Sequence, residues 1–170
     1  MDKKLYIDKW WGNYIGSCDD SLLLLDYFGN KKEKNLSLSE ILSDLHIDTM
    51  LAENSVNQGD AYFSIDESYM PHFDLAIDVI IDLSTILLEY IKNGEVSISD
   101  LDESSEYTNK ISISVSEKEL KLLLSGLKHF IDAPYDYELA NYMDENSLKE
   151  LVNDCQEVYD ALSSYERKTS

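Results

Sequence analysis

The segment spanning residues 73–92 constrains the fold more than any other part of the chain. Its apolar side chains cover a broad face of a helix, so the pattern predicts one long helix, the longest of the chain, at the centre of the hydrophobic core. Asp78, Asp82 and Glu89 interrupt the apolar run, which favours a buried helix over a membrane span. Asn93 and Gly94 follow as the expected end of the helix, because glycine readily takes up the left-handed conformation found there.

Shorter elements of both types are predicted around this central helix. Further helices are expected over residues 21–28, 37–46, 116–131, 137–143 and 147–165. Strands are expected over residues 5–11, 62–65, 96–98 and 110–115. Periodicity alone leaves residues 21–28 open between helix and buried strand, and the preceding aspartates favour helix. Without an internal repeat or linker, this order predicts a single α+β domain over residues 1–170, a small antiparallel sheet packed with several helices.

The charge balance is the most unusual property of the composition. The chain has 34 Asp and Glu residues against 14 Lys and Arg, a formal net charge of −20. This balance excludes nucleic acid as a direct partner and disfavours an anionic membrane surface, because both require a basic face. A charge of this size can serve solubility alone, or it can speed encounter with a cationic partner by ~10 to 10³ at low salt. Composition leaves both explanations open.

No motif for catalysis, nucleotide binding or metal binding is present in the sequence. Cys18 and Cys155 lie far apart, and His46, His72 and His129 have no spacing typical of metal ligands. Neither a glycine-rich phosphate loop nor a nucleophile elbow occurs. We therefore expect no enzymatic activity, no cofactor and no metal.

The N-terminal residues and the cysteines indicate a cellular compartment. Charged residues at the start of the chain are not followed by an apolar run, so no signal peptide is expected. Two cysteines are too few for a disulfide scaffold of a small secreted domain. The expected location is the cytoplasm, with both thiols reduced.

An acidic loop, residues 99–107, is the strongest candidate for partner binding. Four carboxylates lie within seven positions and are followed by a tyrosine. Adjacent Trp10 and Trp11 would point to opposite faces of a strand, so both can be core anchors or one can line a recognition pocket. The candidate partner-binding residues are Asp100, Asp102, Glu103, Glu106, Tyr107 and Trp11.

An unusual run of residues begins at the second tryptophan: Trp11-Gly12-Asn13-Tyr14-Ile15-Gly16-Ser17-Cys18-Asp19-Asp20-Ser21-Leu22. This W-G-N opening (residues 11–22) resembles the start of immunity proteins from bacterial polymorphic-toxin systems, including contact-dependent growth inhibition. The resemblance implies a cognate toxin domain, often a nuclease, that is bound tightly in the cytosol. In some such pairs the toxin adds a β-hairpin to an open sheet edge of the immunity protein. The alternating segment 111–115 is where we expect such an edge.

Three functional hypotheses follow for the chain. The first is an immunity protein that neutralises a basic toxin domain by stoichiometric occlusion. The second is an acidic adaptor or regulatory domain without a toxin partner. The third is a small hydrolase with paired carboxylates, which would require a cleft that gathers carboxylates with raised pKa values.

Overall fold

The computed structural model describes residues 5–169, with side chains up to residue 166, and shows seven α-helices, three strands and four short 3-10 helices in that range. The α-helices are α1 (Asp19–Gly29), α2 (Leu38–Asp44), α3 (Asp48–Ala52), α4 (Ala76–Asn93), α5 (Ile98–Leu101), α6 (Glu117–Asp132) and α7 (Glu145–Thr169). The strands are β1 (Asn35–Ser37), β2 (Val96–Ser97) and β3 (Lys110–Ser114). The 3-10 helices are Tyr6–Lys9, Val56–Gln58, Pro134–Asp136 and Glu138–Asn141. Residues 1–4, the start of the segment considered as a signal peptide, lie outside this description.

Helix α4 is the central element, as its apolar pattern predicted. Of its 18 residues 14 are buried, and it packs against α1, α6, α7 and the first 3-10 helix. Gly94 ends the helix in the left-handed conformation, with φ of 81°. The longest helix is instead α7, with 25 residues, so the prediction about length was wrong. Within residues 5–169, no helix combines the length and the apolar composition that crossing a bilayer requires.

The three strands form one small sheet in the order β1-β3-β2. Strand β3 pairs with β2 in antiparallel and with β1 in parallel orientation, so the α+β class is confirmed but the sheet is mixed. Strand β1 pairs with residues 112–114 of β3, whereas β2 pairs only with residues 110 and 111, so the open edge expected at residues 111–115 is closed on the side of β1. The alternation correctly placed Ile111 and Ile113 in the core, but alternation reports which faces are buried and not what lies beside the strand.

Two predicted strands are replaced by other structures. In place of a strand over residues 5–11, the chain forms a 3-10 helix and a turn. Carboxylates accept hydrogen bonds from backbone N–H groups of this segment that a strand would donate to a neighbouring strand. The Leu5 N–H donates to Asp8 over 3.0 Å, and the Ile7 N–H donates to Glu89 of α4 over 3.2 Å. The segment 62–65 forms no strand of the sheet, and an isolated bridge joins Tyr62 to His72.

Candidate functional site

The W-G-N opening forms a tight loop that is held by two glycines. Gly12 has a φ of 105° and Gly16 a φ of 83°, values that residues with a Cβ rarely adopt. The Gly12 N–H donates to the Ile15 carbonyl over 2.8 Å and closes the loop. The Trp11 ring lies so close to Gly16 that a Cβ there would be 2.4 Å from the ring. Glycine is therefore required at residue 16 by both conformation and space.

Three buried aspartates connect this opening to helix α4. Asp82 accepts hydrogen bonds from the Gly16 N–H, over 3.1 Å, and from the Ser21 hydroxyl. Asp78 accepts one from the Tyr14 hydroxyl over 3.0 Å. Asp20, in the first turn of α1, accepts the backbone N–H groups of residues 74 and 75 over 2.8 and 3.0 Å, just before α4 begins. We refer to Asp20, Asp78 and Asp82 as the aspartate cluster.

Burial changes the acidity of the aspartate cluster. Loss of solvent raises the pKa of Asp78 to about 8, and the hydrogen bond and charge of neighbouring Asp20 act in the same direction. Burial likewise raises the pKa of Asp82 to about 7, against the opposing effect of its hydrogen bonds from Ser21 and Gly16. The pKa of the nearby Cys18 thiol rises to about 12 for the same main reason, so this thiol stays protonated near neutral pH.

Two members of the aspartate cluster, Asp20 and Asp78, line an open cleft of about 430 Å³, whose wall also includes Tyr14, Cys18 and Tyr142. A cleft that gathers carboxylates of raised pKa is the feature that the hydrolase hypothesis required. Both oxygens of Asp20, however, accept backbone N–H groups, and Asp78 is bonded to Tyr14 and Asp20. General acid–base catalysis needs a carboxylate that can reach a substrate proton. The arrangement therefore supports a structural connection between the opening and α4.

Sequence reasoning missed the aspartate cluster, although a signal was available. Asp78 and Asp82 lie one helical turn apart on an otherwise apolar helix and were considered only as interruptions of the apolar run. Buried carboxylates at such a spacing require partners from another segment. The W-G-N opening supplies these partners, which gives Tyr14, Gly16 and Ser21 a structural role.

The acidic loop is more ordered than its composition suggests. Asp100 is half-buried within α5, so the start of the loop is helical. Asp102 ends that helix, and its carboxylate accepts the Ser104 N–H and hydroxyl over 3.0 and 2.7 Å. Glu103 and Glu106 are exposed to solvent. The loop thus presents carboxylates from a turn that is closed by its own hydrogen bonds.

Two aromatic residues hold the ends of the acidic loop. At its start, the Trp11 Nε1 donates to the carbonyl of Leu101 over 2.9 Å. At its end, the half-buried Tyr107 ring packs on Gly29, where a Cβ would lie 2.3 Å from the ring. The Asn30 amide donates to the Tyr107 hydroxyl over 3.3 Å. The structure therefore brings the predicted site residues together, with both aromatic side chains partly engaged in supporting the loop.

The tryptophan pair divides between core and surface. Trp10 is buried, and its Nε1 donates to Glu157 of α7 over 2.8 Å, whereas Trp11 is half-buried. One tryptophan thus lies in the core and the other borders the acidic loop. The two residues lie in a turn and not in the predicted strand. Within residues 5–169, no group of three or more His, Cys, Asp or Glu residues is arranged to hold a metal ion.

Comparison with known proteins identifies a family that matches most of the chain. The model of the family described as Immunity protein 68, Imm68, matches residues 6–162, which include the W-G-N opening, the aspartate cluster and the acidic loop. No curated protein and no solved structure matches the chain.

Proposed function

The chain belongs to the Imm68 family of immunity proteins, and from this we propose that it binds and neutralises a cognate basic toxin domain of the nuclease class in the bacterial cytoplasm. The family match over residues 6–162 is the observation that supports the proposal most directly. Neutralisation proceeds by stoichiometric occlusion and without turnover. The system that supplies the toxin is of the polymorphic or contact-dependent growth inhibition type.

The charge of the molecule supports a basic partner. A nuclease must bind phosphate and therefore carries Lys and Arg around its active site. A protein of net charge −20 attracts such a surface over long range. Carboxylates docked onto those cations would occupy the positions that the phosphates of nucleic acid otherwise take, and this blocks the active site.

The acidic loop is the proposed contact surface for these cations. Its exposed carboxylates, Glu103 and Glu106, extend from a turn that Trp11 and Tyr107 hold in place. A prearranged loop loses little conformational entropy on binding, so more of the interaction energy appears as affinity. Asp100 and Asp102 add to the local charge, and the partly exposed rings of Tyr107 and Trp11 supply apolar contact area.

A titration of toxin activity tests the proposal. The toxin domain for this test is to be sought in the genes beside the one for this chain, where we expect a large protein with a basic C-terminal domain. We expect co-expression to rescue growth, and purified protein to abolish toxin activity at about one molar equivalent, as for a tight one-to-one complex. Complete inactivation by a small fraction of one equivalent would mean that the chain modifies the toxin catalytically and would contradict the proposal.

A charge-neutral variant of the acidic loop tests the proposed surface. Its substitutions are Asp100→Asn, Asp102→Asn, Glu103→Gln and Glu106→Gln. The control variant removes the same charge at other exposed positions, through Glu53→Gln, Asp136→Asn, Glu145→Gln and Glu150→Gln. We expect the loop variant to bind the toxin roughly 10- to 100-fold more weakly than the control variant in calorimetry. Equal affinities would place the interface elsewhere.

A further inference from the structure

Residues 62–72, here named the finger, form a small hairpin between the second 3-10 helix and α4. The Phe63 N–H donates to the Pro71 carbonyl over 3.2 Å, and the Ile65 N–H donates to the Tyr69 carbonyl over 3.0 Å. Asp66 closes the turn by accepting the Ser68 N–H and hydroxyl, each over 2.7 Å. The finger therefore has a defined backbone, although it contributes no strand to the sheet.

The tip of the finger exposes large apolar side chains to solvent. Ile65 is 42% exposed, Met70 52% and Tyr69 55%, and every residue from 64 to 70 is exposed. Clusters of exposed apolar side chains on a soluble protein mark interaction sites more often than single ones do. Tyr and Met are also enriched at the centre of protein interfaces.

The base of the finger is fixed by aromatic packing. The Tyr62 ring is stacked between His46, at 3.9 Å between ring centroids, and His72, at 4.8 Å. Next to it, Phe63 is buried against Tyr27 of α1, with 5.4 Å between centroids. The apolar tip is thus presented from a rigid base, which lowers the entropic cost of binding.

The charges around the tip select the kind of partner. Residues 60–74 include four carboxylates and neither Lys nor Arg. These carboxylates are Asp60, Asp66, Glu67 and Asp74. Asp60 is bonded to His72, and Lys31 and Lys32 line the neighbouring groove, so the negative charge at the tip itself comes from Asp66 and Glu67. The surface that complements the tip is a cationic cleft with an apolar floor.

The finger and the last residue of the acidic loop both adjoin the C-terminal end of α1. A groove of about 520 Å³ separates the finger from the loop that follows α1, and Ile65, His46 and Asn30 are among the residues that line it. Asn30 also contacts Tyr107 at the end of the acidic loop. A single partner seated over this end of α1 can therefore contact both surfaces.

We infer that the finger inserts Ile65, Tyr69 and Met70 into a basic, apolar-floored cleft of the cognate toxin and is a main source of affinity in the complex. The inference rests on the proposed function. In this arrangement the acidic loop supplies electrostatic contacts, and the finger supplies the apolar anchor. Apolar and aromatic anchors commonly dominate the energy of such interfaces.

Paired double variants test this inference with the same toxin domain. The finger variant carries Tyr69→Ser and Met70→Ser, and the control variant carries Tyr135→Ser and Tyr142→Ser at positions that are 70% and 68% exposed. We expect the finger variant to bind roughly 100-fold more weakly than wild type by calorimetry, and the control variant to bind like wild type. Circular dichroism and thermal unfolding verify that both variants fold.

A second measurement, hydrogen exchange on the wild-type complex, should show slower exchange of amides in residues 64–70 than in the free protein. Wild-type affinity of the finger variant, or unchanged exchange of these amides, overturns the inference while leaving the proposed function intact. Wild-type protein that neither binds nor neutralises the toxin overturns the proposed function and the inference together.

Discussion

At the scale of residues, Asp78 and Asp82 explain why the W-G-N opening has its particular composition. A carboxylate buried in an apolar core is costly unless hydrogen bonds or protonation compensate for the lost hydration. On α4, the compensation comes from Tyr14, Gly16 and Ser21, and each donates to one of the two carboxylates. Tyr14, Gly16 and Ser21 of the opening therefore supply the hydrogen-bond donors that the two buried carboxylates of the central helix require.

The aspartate cluster makes stability depend on pH. Because burial raises the pKa of Asp78 to about 8 and that of Asp82 to about 7, the folded protein binds more protons than the unfolded chain between pH ~4 and ~8. The contribution of these groups to the free energy of unfolding is therefore full below pH ~4 and is lost progressively as the pH rises to ~8.

We predict that Asp78→Asn stabilises the protein at alkaline pH. An amide stays neutral and still accepts the Tyr14 hydroxyl, so the free energy of unfolding at pH 8.5 should increase by about 1–3 kcal/mol, with a clearly smaller increase at pH 5. Urea unfolding at both pH values measures the effect, with exposed Glu150→Gln as the control. Destabilisation of Asp78→Asn at pH 8.5 would show that the ionised carboxylate is a favourable part of the fold.

At the scale of elements, the loop formed by the W-G-N opening links three parts of the fold. It bonds to α4 through Asp82 and to the end of α5 through Trp11, and the preceding residue, Trp10, bonds to α7. The ring of Trp11 packs over Gly16 and also donates a hydrogen bond to Leu101 at the start of the acidic loop. The positions of the W-G-N opening and of the acidic loop therefore depend on one another.

Two alanine substitutions in this loop separate conformational strain from steric contact. Gly12→Ala should cost about 1–2 kcal/mol, because φ is positive and nothing lies within 4 Å of the new Cβ. Gly16→Ala should cost more, about 3 kcal/mol, because its Cβ also displaces the Trp11 ring from its hydrogen bond to Leu101. Denaturant unfolding measures both costs. Only Gly16→Ala should shift tryptophan fluorescence to longer wavelength, and equal behaviour of the two variants would argue against the ring contact.

The spacing of apolar residues within one segment correctly predicted the helices and the strand that bury one apolar face. The central helix, α1, α6, α7 and β3 follow from the spacing of apolar residues in one segment. Residues 5–11 were mispredicted as a strand because Glu89, far away in sequence, accepts the Ile7 N–H. The neighbours of β3 could not be predicted, since its partner β1 lies before the central helix and β2 after it.

The candidate site likewise was predictable where its residues are continuous in sequence and not where distant residues combine. The acidic loop is continuous in sequence and could be recognised there as a candidate, whereas its contact with Trp11, 90 positions away, could not. The aspartate cluster combines residue 20 with residues 78 and 82, and the finger is apparent only once Tyr62 pairs with His72. The aspartate cluster therefore has no signature in one short stretch, and the exposure of the tip of the finger depends on packing of its base against His46 and Tyr27.

At the scale of the whole molecule, the net charge of −20 acts on any partner before contact is made. We predict that the rate of association with the toxin falls steeply as salt is added, because the Debye length shrinks from ~30 Å at 0.01 M to ~3 Å at 1 M. Stopped-flow mixing measures this rate, and the dissociation rate should change much less. An association rate that is constant over this range would eliminate electrostatic steering.

The hydrogen bond between Trp10 and Glu157 has a consequence for synthesis of the protein on the ribosome. Trp10 leaves the ribosome early, but its partner on α7 is 147 positions later in the chain. At translation rates of about 5–20 residues per second, roughly 7–30 s pass before that helix can be added. The first tryptophan remains without its final partner through this interval, whereas the neighbouring W-G-N opening can bond to Asp82 and Leu101 as soon as those residues have been made. Protection of the cell by a newly made molecule is therefore delayed by the time needed to translate almost the entire chain.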